Sequence, residues 1–170
     1  MAKADILFES EDHRVVRYAD LVKGEGIQAN QFAIRHGSHG ALIDPGGDLT
    51  FTPLTIELSR HFNLKSLDYI LASHQDPDII ASLPRWMLHS DCKVAVSRLW
   101  SRFLPHLAST FVTSRVGEQW QARILPLPDE GARLPFGDTE LWALPAHFLH
   151  SVGNFSFFDP TSRILFSGDI

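Results

Sequence analysis

Short apolar runs and polar, glycine-marked breaks alternate over the first 45 residues. The runs are Ile6–Phe8, Val15–Tyr18, Gln31–Arg35 and Ala41–Asp44. The breaks are Gly24-Glu25-Gly26 and His36-Gly37-Ser38-His39-Gly40. This pattern predicts a β-meander. Pro45-Gly46-Gly47 is a turn, and Asp44 before it reads as a turn former, with support of a site from behind as the alternative. Thr52-Pro53 then reads as a helix start, with Thr52 as N-cap, Pro53 at the first position, and Leu54, Leu58, Phe62 and Leu64 on the apolar face.

The second half changes period repeatedly. Tyr69-Ile70-Leu71-Ala72 is an apolar run of buried-strand type. A polar loop follows it, and then a helix is expected from Ile79 to His89, with Pro84 in its first turns. Strand Lys93–Val96 and a helical region from Arg98 to Leu107 come next, then strand Arg123–Leu127. Two hairpins close the chain. Leu134–Phe136 and Glu140–Leu144 flank Gly137-Asp138, and Asn154–Phe158 and Arg163–Phe166 flank Asp159-Pro160-Thr161-Ser162. Strands, then alternating helices and strands, then strands again imply an α/β architecture. No helix follows the last strand to cover its sheet, so residues 1–170 read as one domain that is the front part of a larger fold.

Composition narrows the function. The chain has 170 residues, 44% of them hydrophobic, with twelve Phe and four Trp, enough for a real core. Net charge is −5 with Lys and Arg scattered, which argues against a nucleic-acid partner. No apolar stretch approaches the roughly 18 residues of a spanning helix, and the N-terminus lacks a signal peptide's apolar region. The single cysteine, Cys92, excludes an internal disulfide and reads as a small packed residue. These features point to a soluble protein of the cytoplasm.

The chemistry concentrates at three places, each just past an apolar strand. The first is Ser73-His74-Gln75-Asp76-Pro77-Asp78, where an imidazole and two carboxylates alternate. The second is His147-Phe148-Leu149-His150, and the third is Asp169 after Arg163–Phe166. Strand ends of an α/β sheet are where such folds build sites. Two imidazoles and a carboxylate on one face make a non-haem iron site with open positions, and a bridging carboxylate can hold a second ion about 3.5–4 Å away. Each place also has a plainer reading. Asp76 and Asp78 can turn the chain and cap the next helix, His74 can be a hydrogen-bonded structural histidine, and His147 or His150 can serve packing alone. His36 and His39, in a glycine turn, read as solvent-exposed, and His13, His61, His89 and His106 carry no assigned role.

Taken together, these segments resemble the metallo-β-lactamase superfamily, and within it the diiron branch of flavodiiron proteins and stand-alone oxygen-binding diiron proteins. The resemblance rests on Gly26-Ile27-Gln28-Ala29-Asn30, Ala41–Asp44, Asp68–Asp78, Leu149–Asn154 and Ile164–Asp169. It implies a metallo-β-lactamase-like αββα sandwich, incomplete at the C-terminus. In that branch the first motif is His-x-Glu-x-Asp-His, against His-x-His-x-Asp-His in the hydrolases. Asp76 stands at the third position here and keeps its hard-ligand character. The resemblance therefore implies His74, Asp76 and His150 on a first ion, Asp78 on a second, and Asp169, nineteen residues after His150, bridging them. Ile79 replaces the motif's last histidine, and the family's final histidine ligand would lie beyond Ile170, which leaves His147 as a substitute.

The expected cofactor is iron, as one well-held ion and a second that is weak or missing, with zinc as the alternative. No flavodoxin-like region accompanies it, so no flavin is expected and electrons would come from a separate donor. The expected function is binding of dioxygen or nitric oxide, as a sensor or as an oxidoreductase with that donor. The alternatives are a metal-dependent hydrolase of the same fold and a metal-free binding or regulatory module. A homo-oligomer covering the open sheet is a further expectation.

Overall fold

A computed structural model describes residues 3–61, 63–107 and 119–169 of the chain. Their strands form two sheets. The first has seven strands in chain order: β1 (Lys3–Glu9), β2 (His13–Ala19), β3 (Gln31–His36), β4 (His39–Ile43), β5 (Leu67–Leu71), β6 (Lys93–Ser97) and β7 (Ile124–Leu127). β1 to β4 pair antiparallel and β4 to β7 pair parallel. The switch follows from the connections. The Gly37-Ser38 turn joins β3 and β4 as a hairpin, whereas each later strand returns through helical segments. The second sheet is antiparallel, in the order β11 (Ile164–Phe166), β10 (Phe155–Asp159), β9 (Thr139–Pro145) and β8 (Ala132–Phe136).

Strand alternation sorts the apolar residues into two cores. Val15, Ile34, Ala41, Ile43, Leu71 and Ala95 of the first sheet face Leu134, Phe136, Leu141, Phe155, Phe157 and Phe166 of the second. On the other face of the first sheet, Tyr18, Leu42, Ile70, Val94 and Val96 meet the helical layer, which supplies Leu54, Leu58, Leu83, Trp86, Trp100 and Trp120. Each fully buried side chain of this size contributes roughly 1.5–3 kcal/mol of transfer free energy. Among the described residues no helix lies over the outer face of the second sheet, where Leu144 is 37% and Leu165 54% exposed. The described residues thus provide three of the four layers of an αββα sandwich.

The helices differ from the sequence expectation in detail. α1 spans Asp48–Leu58 with Gly47 at its N-cap, so Pro53 sits inside the helix rather than at its start. The start is set earlier because Gly46, at φ +85, turns the chain and Thr50 bonds back to the Gly47 carbonyl. Phe62, expected on the apolar face of α1, lies outside the described residues. The helix expected from Ile79 to His89 is two pieces, α2 (Pro77–Ile80) and α3 (Leu83–His89). Pro84 lacks an N–H and disfavours helical backbone just before it, which breaks the run near Ser82. Ser82 uses the break, donating its backbone N–H and its hydroxyl to the Gly46 carbonyl. The region from Arg98 to Leu107 likewise divides into α4 (Arg98–Ser101) and a 3₁₀ turn at Leu104–Leu107. Cys92 is buried at 1% exposure, and burial raises its thiol pKa, as expected of a packed residue.

Candidate metal centre

The three chemistry-bearing places converge at one rim of the fold. β4 and β5 run parallel and end beside each other, which sets Asp44 next to the loop that begins at Ala72. β9 ends, β10 begins and β11 ends at the same rim, because antiparallel neighbours present alternate ends there. The Phe155 N–H donates to the Ser73 carbonyl at 2.9 Å and joins the two sheets at this point.

His74 is fully buried, and the rings of His74 and His150 lie 4.6 Å apart, edge to face. One ligand atom each from His74, His150 and Asp169 falls within 4.8 Å of the other two. Asp76 Oδ2 sits 3.2 Å from His150 Nε2 and 3.6 Å from His74 Nε2. Asp76 occupies the N-cap position of α2, yet its side chain makes no capping hydrogen bond. It faces the imidazoles instead. Asp78 lies in the first turn of α2, close enough that its charge and that of Asp169 both act on Asp44.

The setting of His74 decides its proton. Asp44, in the left-handed region at φ +52, accepts the Ser73 N–H at 2.7 Å on Oδ1 and the Ser73 hydroxyl at 2.9 Å on Oδ2. A serine hydroxyl has one proton to give. With Asp44 ionised and that proton directed to it, the 2.9 Å contact between Ser73 Oγ and His74 Nδ1 has Nδ1–H donating. His74 Nε2 is then an unprotonated lone pair, buried and with no hydrogen-bond partner among the described residues. An orphaned buried acceptor of this kind is costly unless something binds it, and a neutral imidazole with its other nitrogen tied down is the form that ligates metals. Burial lowers the His74 pKa, against the opposing charges of Asp76 and Asp169, so the neutral form is favoured. Asp44 is pushed up to about 7, first by burial and then by Asp169 and Asp78, with the Ser73 hydrogen bonds opposing. A carboxylate-rich rim that destabilises its own charges is suited to a cation.

The residue set fits a hard or borderline metal ion: two imidazoles with Asp76 and Asp169, and Asp78 nearby. His147 is not brought into it. Its Nε2 bonds the Asp129 carbonyl at 3.0 Å and its ring packs edge-on against Phe155, apart from the His74–His150–Asp169 group. The i, i+3 spacing from His150 does not make the two converge, because Phe148 takes a left-handed φ of +68 between them and no regular helix forms. Ile79 is 2% exposed and joins the helical core.

Two contributors were not assigned from sequence. Ser73 carries the relay to His74, and its only local signal is its place directly before the histidine. Gly168 has φ +66, and a Cβ there would meet Ser73 Cβ and Oγ at 2.9 Å. A glycine is needed for Asp169 to come this close.

Residues 27–170 match the family described as ODP family beta lactamase. The apo state of the chemotaxis sensor ODP from T. denticola is similar at TM-score 0.80 and 30% identity, over 98% of this chain and 63% of that chain. A structure of the peroxy diiron species of chemotaxis sensor ODP is similar at TM-score 0.79 and 32% identity, over 96% of this chain and 62% of that chain. The putative diflavin flavoprotein A 4 of Synechocystis sp. is 27% identical over 135 residues, 66% of this chain and 23% of that protein. The chain thus spans less than two thirds of the length of the sensor structures and under a quarter of the flavoprotein.

Proposed function

Because the chain belongs to the ODP family beta lactamase group, in the diiron branch of the metallo-β-lactamase superfamily, we propose that it is a non-haem iron protein that binds dioxygen or nitric oxide. The observation that carries this reading is the buried, unpartnered Nε2 of His74 set against His150, Asp76 and Asp169. His74, Asp76, His150 and Asp169 would hold iron. Asp78, with Asp169, is what this segment offers a second ion, and Ile79 adds no ligand. Iron bound there would supply an electron-rich centre with positions open to a diatomic gas.

The chain's own residues prepare that centre. Asp44 and Ser73 hold the proton at His74 Nδ1 and leave Nε2 free. Asp76 sets a carboxylate oxygen against both imidazoles. His150 and Asp169 reach solvent, so a small ligand has a direct approach. Asp76 in place of an imidazole favours iron over the softer two-zinc arrangement of a hydrolase. A sensing role is supported by similarity to a chemotaxis sensor.

The test is anaerobic loading with ferrous iron, metal analysis, and then exposure to air or nitric oxide. Bound iron and a new visible absorption band are expected. An unchanged spectrum in protein that has demonstrably bound iron would overturn the gas-binding reading, and failure to bind iron would overturn the site.

A further inference from the structure

At the rim opposite the metal centre, two histidines and two aspartates form one continuous hydrogen-bond chain. His13 Nε2 lies 2.6 Å from Asp159 Oδ2 and His13 Nδ1 lies 3.1 Å from His36 Nδ1. His36 Nε2 completes the chain at Asp138 Oδ1. His13 is 1% exposed and Asp159 0%, so water does not set their proton inventory. All four ring nitrogens have a partner.

Counting protons along this chain gives one answer. An ionised carboxylate only accepts, so each Nε2 facing one carries a proton. The two Nδ1 atoms face each other, and a hydrogen bond between them needs one proton. With none, two lone pairs oppose; with two, two N–H groups oppose. Two imidazoles therefore hold three protons in total, which makes one of them an imidazolium between two carboxylates. The elements joined are β2 and β3 of the first sheet, through His13 and His36, and the β8–β9 turn and β10 of the second, through Asp138 and Asp159.

We propose that His13 and His36 form a proton-sharing pair that braces β2 against β3 between two contacts to the second sheet, and that a second proton taken up by the pair breaks this brace while both carboxylate contacts remain. Addition of one proton converts Nδ1–H···Nδ1 into two opposed N–H donors, so the central bond breaks and nothing else is consumed. Among the described residues, few other charges face the pair. His39 packs beside His36 around Gly137 and is itself bonded to Asp68 at 2.8 Å. β1 contributes the edge-on ring of Phe8. Arg14 and Arg35, the next residues on β2 and β3, point to the other face by strand alternation. Ser162 and the Thr161 N–H add donors to Asp159 and keep its carboxylate ionised.

The experiment is imidazole ¹⁵N–¹H NMR of the full chain labelled at histidine, followed across pH. At neutral pH the expected signals are two protonated Nε2 atoms and one exchange-protected Nδ1 proton shared by the two rings. On acidification the shared signal is lost, and both rings change over the same pH interval. His36→Gln abolishes the shared signal and alters the His13 curve. Asp138→Ala, in an exposed turn, also weakens the shared signal and checks the result should His36→Gln fold poorly. Two rings that follow separate curves in the wild type, or a His13 curve indifferent to both variants, would overturn the proposal.

Discussion

The Ser73 hydroxyl donates to Asp44 Oδ2 at 2.9 Å, and this one bond chooses the tautomer of the neighbouring His74. Strand pairing of β4 with β5 makes it, since the two residues are 29 apart in the chain. Replacing the acceptor by a donor should reverse the relay.

Asp44→Asn supplies that reversal. The amide nitrogen would donate to Ser73 Oγ, Ser73 would donate to His74 Nδ1, and the proton would move to Nε2, where a metal must bind. Iron affinity should fall by about 10–100-fold, the usual cost of losing a partner that orients a ligand. The apoprotein should be no less stable, because a buried carboxylate has been neutralised. Isothermal titration with ferrous iron under nitrogen measures the first effect and thermal unfolding the second. Wild-type iron affinity in the variant would refute the tautomer argument.

Gly168→Ala should harm both stability and the site. Left-handed backbone costs an L-residue roughly 1–2 kcal/mol, and the new Cβ would stand 2.9 Å from Ser73 atoms that are themselves tied to Asp44. Relief comes by moving Asp169 away. The expected result is a lower melting temperature together with weaker metal binding. A loss of stability with metal binding intact would show that the Asp169 position does not depend on this close approach.

Asp76→His tests the choice of metal. Exchanging a hard carboxylate for an imidazole shifts a mixed site toward softer ions. Anaerobic dialysis against equal ferrous iron and zinc should give a higher zinc-to-iron ratio in the variant than in the wild type. An unchanged ratio contradicts the assignment of Asp76 as a ligand.

Ile79→His asks how many ions the segment holds. The buried isoleucine packs with the helical core, so its removal should destabilise the metal-free protein by roughly 2–4 kcal/mol. If Asp78 and Asp169 lack only a nitrogen ligand, iron per chain should rise and metal should recover part of the lost stability. Elemental analysis that finds the same iron content in both proteins would place the second ion's missing ligand elsewhere.

Asp159 should give the fold an acid-sensitive step. Its burial raises the carboxyl pKa, but hydrogen bonds from His13, Ser162 and Thr161 outweigh burial and hold it below the usual 3.8. A group depressed in the folded state stabilises fully above its unfolded value and loses that contribution as pH falls through the folded one. Wild-type stability should therefore decline below about pH 4. Asp159→Asn should be weaker by about 1–3 kcal/mol at neutral pH and lack this part of the decline. Urea unfolding across that range decides it; parallel curves for the two proteins would exclude a role for Asp159.

Much of the architecture was legible from local pattern. All the expected strands appear within a residue or a few of their observed bounds, because alternation and glycine turns act over neighbouring residues. The hairpin at Gly137-Asp138 and the loop position of His74 belong to the same class. Helix limits were less legible. Gly46 and Ser82 reset them through bonds to residues more than thirty positions away, which no window of sequence contains.

Sequence alone determined which residue types stand past the strand ends, and through them the chemistry available: imidazoles, short carboxylates and no reactive thiol. Only the tertiary structure decided which of these meet. It brought Asp76 to the imidazoles instead of the cap of α2, kept His147 on the Asp129 carbonyl, and buried His13 against Asp159, 146 positions distant, where a surface role for its partner His36 had been expected. The physical reason is that residue type sets what a side chain can bond, while strand order and register set what lies within about 3 Å of it.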